Sequence, residues 1–208
     1  MIELVAFLGN PGRKYAETRH NAGRLLAETL PFFQTLQWQN KYKGIYANME
    51  GKKLLSWDNS NDEKDEEKIP DKIHFLMPET FMNVSGESIY SAASFFKIAP
   101  EKILLVHDEL ELPLGIASFK FSGGLGGHNG LRSMKGYFNT ADFWRLKIGI
   151  GRPTHNDIAG WVLSEFEEYE KNDLKCVLDF SATALIRALT YGVETLLPEW
   201  NKKKIIIN

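Results

Sequence analysis

One cysteine, Cys176, is all that 208 residues contain, so no disulfide can form within the chain. It lies among Leu174, Val177 and Leu178 at helical spacing, which predicts a small apolar side chain packed in the core. No apolar run reaches the ~18 residues that a membrane-crossing helix requires. The N-terminus carries Glu3 inside its first strand-like stretch and has no basic segment followed by a long apolar one. These absences predict a cytoplasmic protein without a membrane partner. H-E-x-x-H is missing, and the five histidines (20, 74, 107, 128 and 155) show no ligand spacing, so no metal is expected. G-x-S-x-G is also missing, and no G-K-[ST] follows any glycine-rich loop, which argues against a serine nucleophile elbow and a P-loop.

Strong net charge is absent too. A formal value of -2 weighs against nucleic-acid binding, but the distribution points the other way. Residues 59–72 hold six acids and three lysines, while residues 118–152 hold Lys120, Arg132, Lys135, Arg145, Lys147 and Arg152 against Asp142 alone, a net of +5. The second segment is a candidate surface for phosphates. The first has almost nothing apolar to bury and is expected to be an exposed, mobile acidic loop.

With 43% hydrophobic and 25% charged residues, the chain has the composition of one ordinary globular domain spanning 1–208. Ile2–Leu8, Ile73–Met77, Ile103–Val106, Ile116–Phe121 and Phe143–Ile150 read as strands. Tyr42–Met49 and Lys53–Trp57 read as a hairpin turning at Glu50-Gly51. Helical spacing follows His20 as far as Pro31, recurs over Glu87–Lys97 and after Gly130, and fills a C-terminal region, 167–197, whose longest helix stops near Gly192. Trp161–Leu163 fits either a helix or a strand, and the lysines at 202–204 fit a frayed end better than a minor RNA contact. Strands alternating with helices, interrupted by one hairpin, predict an α/β domain with a twisted mixed β-sheet flanked by helices.

Polar loops recur where these strands end. Gly9–Gly23 carries Asn10, Tyr15 and His20, and Pro78–Gly86 carries Phe81 and Asn83. Asp108 follows the Ile103–Val106 run, and Asn129 follows a loop with four glycines in five residues, Gly123 to Gly127. A histidine titrates near neutrality, an aspartate can fix its tautomer, and amides can position water or donate to an oxyanion. Those parts fit water attack on a carbonyl carbon. From the residues alone the reading is a base-assisted hydrolase, with His107 and His128 assigned structural places.

The motifs GNPGRKYAETRHNAG at 9–23, FLMPETFMNVSG at 75–86, HDELELPLG at 107–115, GGLGGHNG at 123–130 and RLKIGIGRP at 145–153 together resemble the bacterial peptidyl-tRNA hydrolase family. The resemblance implies a monomeric cytoplasmic enzyme without a cofactor or metal. Its substrate would be peptidyl-tRNA, cleaved at the ester between the peptide and the terminal ribose. It also implies roles. His20 matches the general base, Asp108 the acid that holds it, and Asn10 the residue that tells blocked from free aminoacyl-tRNA. Asn83 and Asn129 match substrate-binding amides, Tyr15 and Phe81 aromatic walls of the cleft, and Lys120 and Lys147 contacts to tRNA phosphates. Glu111 stands where Asp is usual, Lys147 where Arg is common, and the acidic stretch 59–72 is longer than usual. Two other readings share these residues: an RNA-binding protein that hydrolyses nothing, and a hydrolase of small esters.

Overall fold

A computed structural model describes residues 1–58, 66–154, 156–200 and 203–204. In chain order its main elements are β1 (Leu4–Phe7), α1 (Ala22–Thr29), β2 (Gln39–Lys41), β3 (Gly44–Glu50), β4 (Lys72–Pro78), α2 (Ser85–Phe96) and β5 (Ile103–Glu109). They continue with β6 (Ile116–Phe121), α3 (Asn129–Phe138), β7 (Trp144–Gly149), α4 (Ile158–Leu163), α5 (Lys171–Tyr191), α6 (Val193–Trp200) and β8 (Lys203–Lys204).

The strands form one sheet in the order β2-β3-β4-β1-β5-β7-β6-β8. Its centre, β4-β1-β5-β7, is parallel, and the strands on either side are antiparallel. Both faces are covered, so side chains of one strand divide between two cores. On β1, Val5 and Phe7 join the core under α1 and α5, whereas Leu4 and Ala6 join the one under α2 and α3. The parallel centre also brings the carboxyl ends of β1, β4, β5 and β7 to one edge. Open α/β sheets place ligands in the crevice outside such ends.

Gly23 sets the depth of α1. A Cβ there would lie 2.5 Å from the carbonyl oxygen of Val106 and 2.6 Å from that of Leu8, so only glycine lets the helix start rest directly on β1 and β5. The residues just before it, including His20, are thereby pressed against the end of β5.

Several expectations are corrected. Lys53–Trp57 is no strand: Gly51–Ser56 winds into a 3-10 helix, and Gly51 N–H donates to the Asp71 carbonyl at 2.9 Å. β3 pairs instead with β4 and with β2, turning at Tyr42 and Lys43, both in the left-handed region (φ 55° and 54°). Of the two forms that Trp161–Leu163 fits, it takes the helix, as the end of α4, which Asp157 caps through Gly160 N–H at 2.8 Å. Cys176 is half-buried rather than a core residue. Lys203–Lys204 does not fray but pairs with Ile116–Ala117 as β8. Of the acidic stretch, 59–65 lie outside the described residues. Glu66, Glu67 and Lys68 are exposed, and Ile69 is buried.

Candidate active site

The strand ends open into a cleft of about 690 Å³. At its floor His20 Nδ1 lies 2.8 Å from Asp108 Oδ1, and His128 Nε2 lies 2.9 Å from the same oxygen. Proton positions follow from the remaining partners. His128 Nδ1 accepts the backbone N–H groups of Gly130 at 3.1 Å and Leu131 at 3.4 Å, so the His128 proton is on Nε2 and is donated to Asp108. An ionised carboxylate only accepts, so His20 presents Nδ1–H to it and keeps Nε2 as its basic nitrogen, on a ring that lines the cleft.

Asp108 is buried, and burial alone would raise its pKa. The charges and hydrogen bonds of His128 and His20 outweigh that and hold the carboxyl well below the usual carboxylate range. It is therefore ionised throughout the physiological range, the form that orients a base and stabilises its imidazolium. His107, beside it in sequence, places Nδ1 2.6 Å from the Asp108 backbone carbonyl. Burial, reinforced by His128, pushes its pKa well below that of an ordinary histidine, so it stays neutral.

Asn10 is the best-fixed amide. Its backbone N–H donates to Asn21 Oδ1 at 2.8 Å, and Asn21 Nδ2 returns a bond to the Asn10 carbonyl at 3.0 Å. Its own Oδ1 accepts Met82 N–H at 2.8 Å, which fixes the amide orientation and leaves the NH2 group for a ligand in the cleft. Asn83 and Asn129 line the same cleft from exposed positions after β4 and at the start of α3. Tyr15 and Phe81 form an edge-to-face pair on its rim with ring centroids 6.4 Å apart, and Phe81 is 56% exposed. Phe81 therefore adds apolar surface to the cleft rim instead of filling a core.

A sequence profile of the family described as Peptidyl-tRNA hydrolase matches residues 4–207. A peptidyl-tRNA hydrolase from Treponema pallidum is 42% identical over 220 residues, covering 99% of this chain and 97% of its own. One from Desulfitobacterium hafniense is 43% identical over 204 residues, covering 97% and 100%. The crystal structure of peptidyl-tRNA hydrolase from Acinetobacter baumannii superposes with a TM-score of 0.76 at 34% identity, covering 95% of this chain and 91% of that one. The chain belongs to the peptidyl-tRNA hydrolase family.

That family consists of hydrolases acting on ester bonds, and the cleft holds seven of the nine site residues read from the sequence: Asn10, Tyr15, His20, Phe81, Asn83, Asp108 and Asn129. The other two lie elsewhere. Lys120 is exposed on β6, and Lys147, on β7, sets Nζ 2.6 Å from Glu109 Oε2 in a largely buried ion pair.

Three further residues carry the geometry and were not singled out. His128, assigned a structural place, shares the Asp108 oxygen with His20. Arg145, counted as part of a basic surface, is buried, and its guanidinium forks onto the carbonyls of Gly124 at 2.7 Å and Gly123 at 2.9 Å, fixing the glycine loop at the cleft edge. Arg19 is also buried and pairs through both terminal nitrogens with Glu170, while its guanidinium lies 3.7 Å from the Trp161 ring centroid. Ile158, Ala159, Val162 and Leu163 of α4 line the cleft, so Arg19, the residue before His20, ties that wall to the segment that carries His20. Such a pair is costly to break from one side, typically by about 3–5 kcal/mol.

His20, Asp108 and His128 are also residue types that bind metals, and their ligating atoms lie within 4.8 Å of one another. The bonds from Gly130 and Leu131 put a proton on His128 Nε2, however, which makes that nitrogen a donor to Asp108 rather than a free ligand.

Proposed function

We propose that the protein hydrolyses peptidyl-tRNA, freeing peptide and tRNA for reuse in translation. One observation carries this reading: a histidine has one nitrogen held by a buried carboxylate and its ring on a cleft lined by three asparagine side chains. His20 Nε2 takes a proton from water as the oxygen attacks the ester carbonyl carbon. Asp108 stabilises the resulting imidazolium. The NH2 group of Asn10 donates to the substrate carbonyl as its oxygen gains charge, a kind of contact worth about 3 kcal/mol in such reactions. When the tetrahedral intermediate collapses, His20 returns the proton to the departing ribose 3′ oxygen. Asn10 also reads whether the substrate amine is blocked. Asn83 and Asn129 bind the substrate backbone, and Tyr15 with Phe81 walls its aromatic side.

Lys120 meets a tRNA phosphate. Lys147 contributes beside it only by exchanging Glu109 for phosphate, because its ammonium is engaged in the free protein. The enzyme acts as a monomer in the cytoplasm and needs no metal or other cofactor. Among the described residues no helix is long and apolar enough to cross a membrane.

The test is cleavage by the wild-type protein of N-acetylaminoacyl-tRNA, free aminoacyl-tRNA and a simple alkyl ester. The blocked tRNA should be cleaved at least about 100-fold faster than either other substrate, the ~2.7 kcal/mol of discrimination expected from lost specific contacts. Equal rates on the alkyl ester would make the protein a small-ester hydrolase, and no cleavage of any substrate would leave RNA binding alone.

A further inference from the structure

The basic segment 118–152 does not present six equivalent cations. Arg145 is buried on loop carbonyls, Lys147 is paired with Glu109, and Arg152 is paired with Glu111. Both glutamates come from the β5 end and its following loop, outside the basic segment itself. Lys120, Arg132 and Lys135 remain exposed and have no ion-pair partner among the described residues. Two of these three lie on α3, a helix without a single acidic residue.

Helical geometry puts Asn129, Arg132 and Lys135 with Gly136 along one face, at intervals of three and four. Asn129 and Arg132 line the cleft, so the face begins at the site and runs away from it. Arg132 Nη1 has only a long bond, 3.5 Å, to Asn129 Oδ1. Gly136 is exposed, and a Cβ there would meet nothing within 4 Å. The fold thus has no steric need for glycine at a position where glycine weakens a helix relative to alanine. What the missing side chain leaves is bare helix backbone beside Lys135 and one turn beyond Arg132.

We propose that this face of α3 is the track along which the RNA leaves the cleft. Arg132 pairs with the phosphate nearest the scissile ester, Lys135 pairs with a phosphate further along the strand, and Gly136 lets the sugar–phosphate backbone lie against the helix. The assignment rests on the cleft being the peptidyl-tRNA site. The three uncompensated cations then divide the labour, with Lys120 on β6 serving a separate phosphate.

The test compares kcat/KM on N-acetylaminoacyl-tRNA with kcat/KM on N-acetylaminoacyl-adenosine, an ester with the same reacting bond and no phosphate. Lys135→Gln should lower the tRNA-to-adenosine ratio about fivefold, through KM rather than kcat, and reduce the slope of log KM against log salt by about 0.7, the value for one phosphate contact on a single strand. Gly136→Ala should raise Tm while lowering the same ratio about twofold, a combination that a merely structural glycine would not give. Lys53→Gln removes the same charge from the far side of the sheet and should leave the ratio within the error of the measurement. Ratios and salt slopes unchanged in Lys135→Gln and Gly136→Ala, with the wild type active on tRNA, would overturn the track and leave the cleft assignment intact. A wild-type protein that cleaves the adenosine ester but not the tRNA would overturn both.

Discussion

Two buried histidines, His20 and His74, sit at opposite ends of the chemistry this fold supports. Both are similarly buried, 8% and 7% exposed, so burial does not separate them. His20 faces the carboxylate of Asp108, and the ring's other nitrogen serves a cleft. His74 lies 2.7 Å from the Tyr46 hydroxyl, which accepts from Asn48 Nδ2 at 3.1 Å and so donates its own proton to His74 Nδ1. Its ring stacks on Phe96 with centroids 3.9 Å apart. Burial, with a smaller contribution from Lys72, pushes the pKa of His74 down, and burial raises the Tyr46 phenol to about 12. A neutral donor thus occupies one nitrogen of His74, whereas an ionised acceptor holds one nitrogen of His20 and leaves the other on the cleft. The lesson is that the partner's charge and the access of the second nitrogen, not burial, make a histidine a base.

Below the loss of the base itself, the largest effect should come from Asp108→Asn. An asparagine can offer its NH2 to the imidazole and favour the wrong tautomer, so kcat should fall about 10³- to 10⁴-fold with fold and Tm largely kept. A fall of less than tenfold would show that the carboxylate does not orient His20. Tyr46→Phe does the same subtraction at the other histidine. It should cost about 1–3 kcal/mol in denaturant unfolding, because His74 and Asn48 lose their shared partner, with kcat within twofold. A large loss of activity would erase the distinction between the two networks.

The smallest effect concerns pH. His107 has a folded-state pKa well below its unfolded value of about 6.5, so below that pH the unfolded chain takes up a proton that the folded chain refuses. Stability is therefore lost as pH falls below about 6.5, and His74 adds to the loss with the same sign. His107→Asn, which keeps a donor for the Asp108 carbonyl, should remove up to about 1.4 kcal/mol per pH unit from that slope between pH 6 and 5. An unchanged slope in urea titrations would place the proton uptake on other groups.

Much of this was legible in the sequence because it rests on local patterns. Apolar runs mark the strands, and the polar residues at or after their carboxyl ends include Asp108, near the end of β5, and His20 and the asparagines in the segments that follow β1, β4 and β6. The misread hairpin shows the limit of periodicity. Leu54 and Trp57 resemble strand residues, while the real turn at Tyr42-Lys43 has neither Asn nor Gly to mark it. Tyr42 takes its strained backbone where its ring packs on Tyr46, Phe95 and Phe96, so tertiary contacts override turn chemistry. His128 was missed for a related reason. Its bond to Asp108 spans 20 residues and is made from the end of the glycine loop that Arg145 holds at Gly123 and Gly124, a long-range closure that no local pattern marks. The basic segment is less cationic in space than in sequence because Glu109 and Glu111, which pair with two of its charges, lie before residue 118.

The central claim is that His20, oriented by Asp108, is the base that delivers water to the ester. The most direct measurement is single-turnover cleavage of N-acetylaminoacyl-tRNA by wild type and His20→Ala, with Tm recorded for both. The account predicts a loss of at least about 10⁴-fold, or ~5.4 kcal/mol of barrier, in a protein that still melts cooperatively near the wild-type temperature. Cleavage within tenfold of wild type by a folded His20→Ala would contradict it.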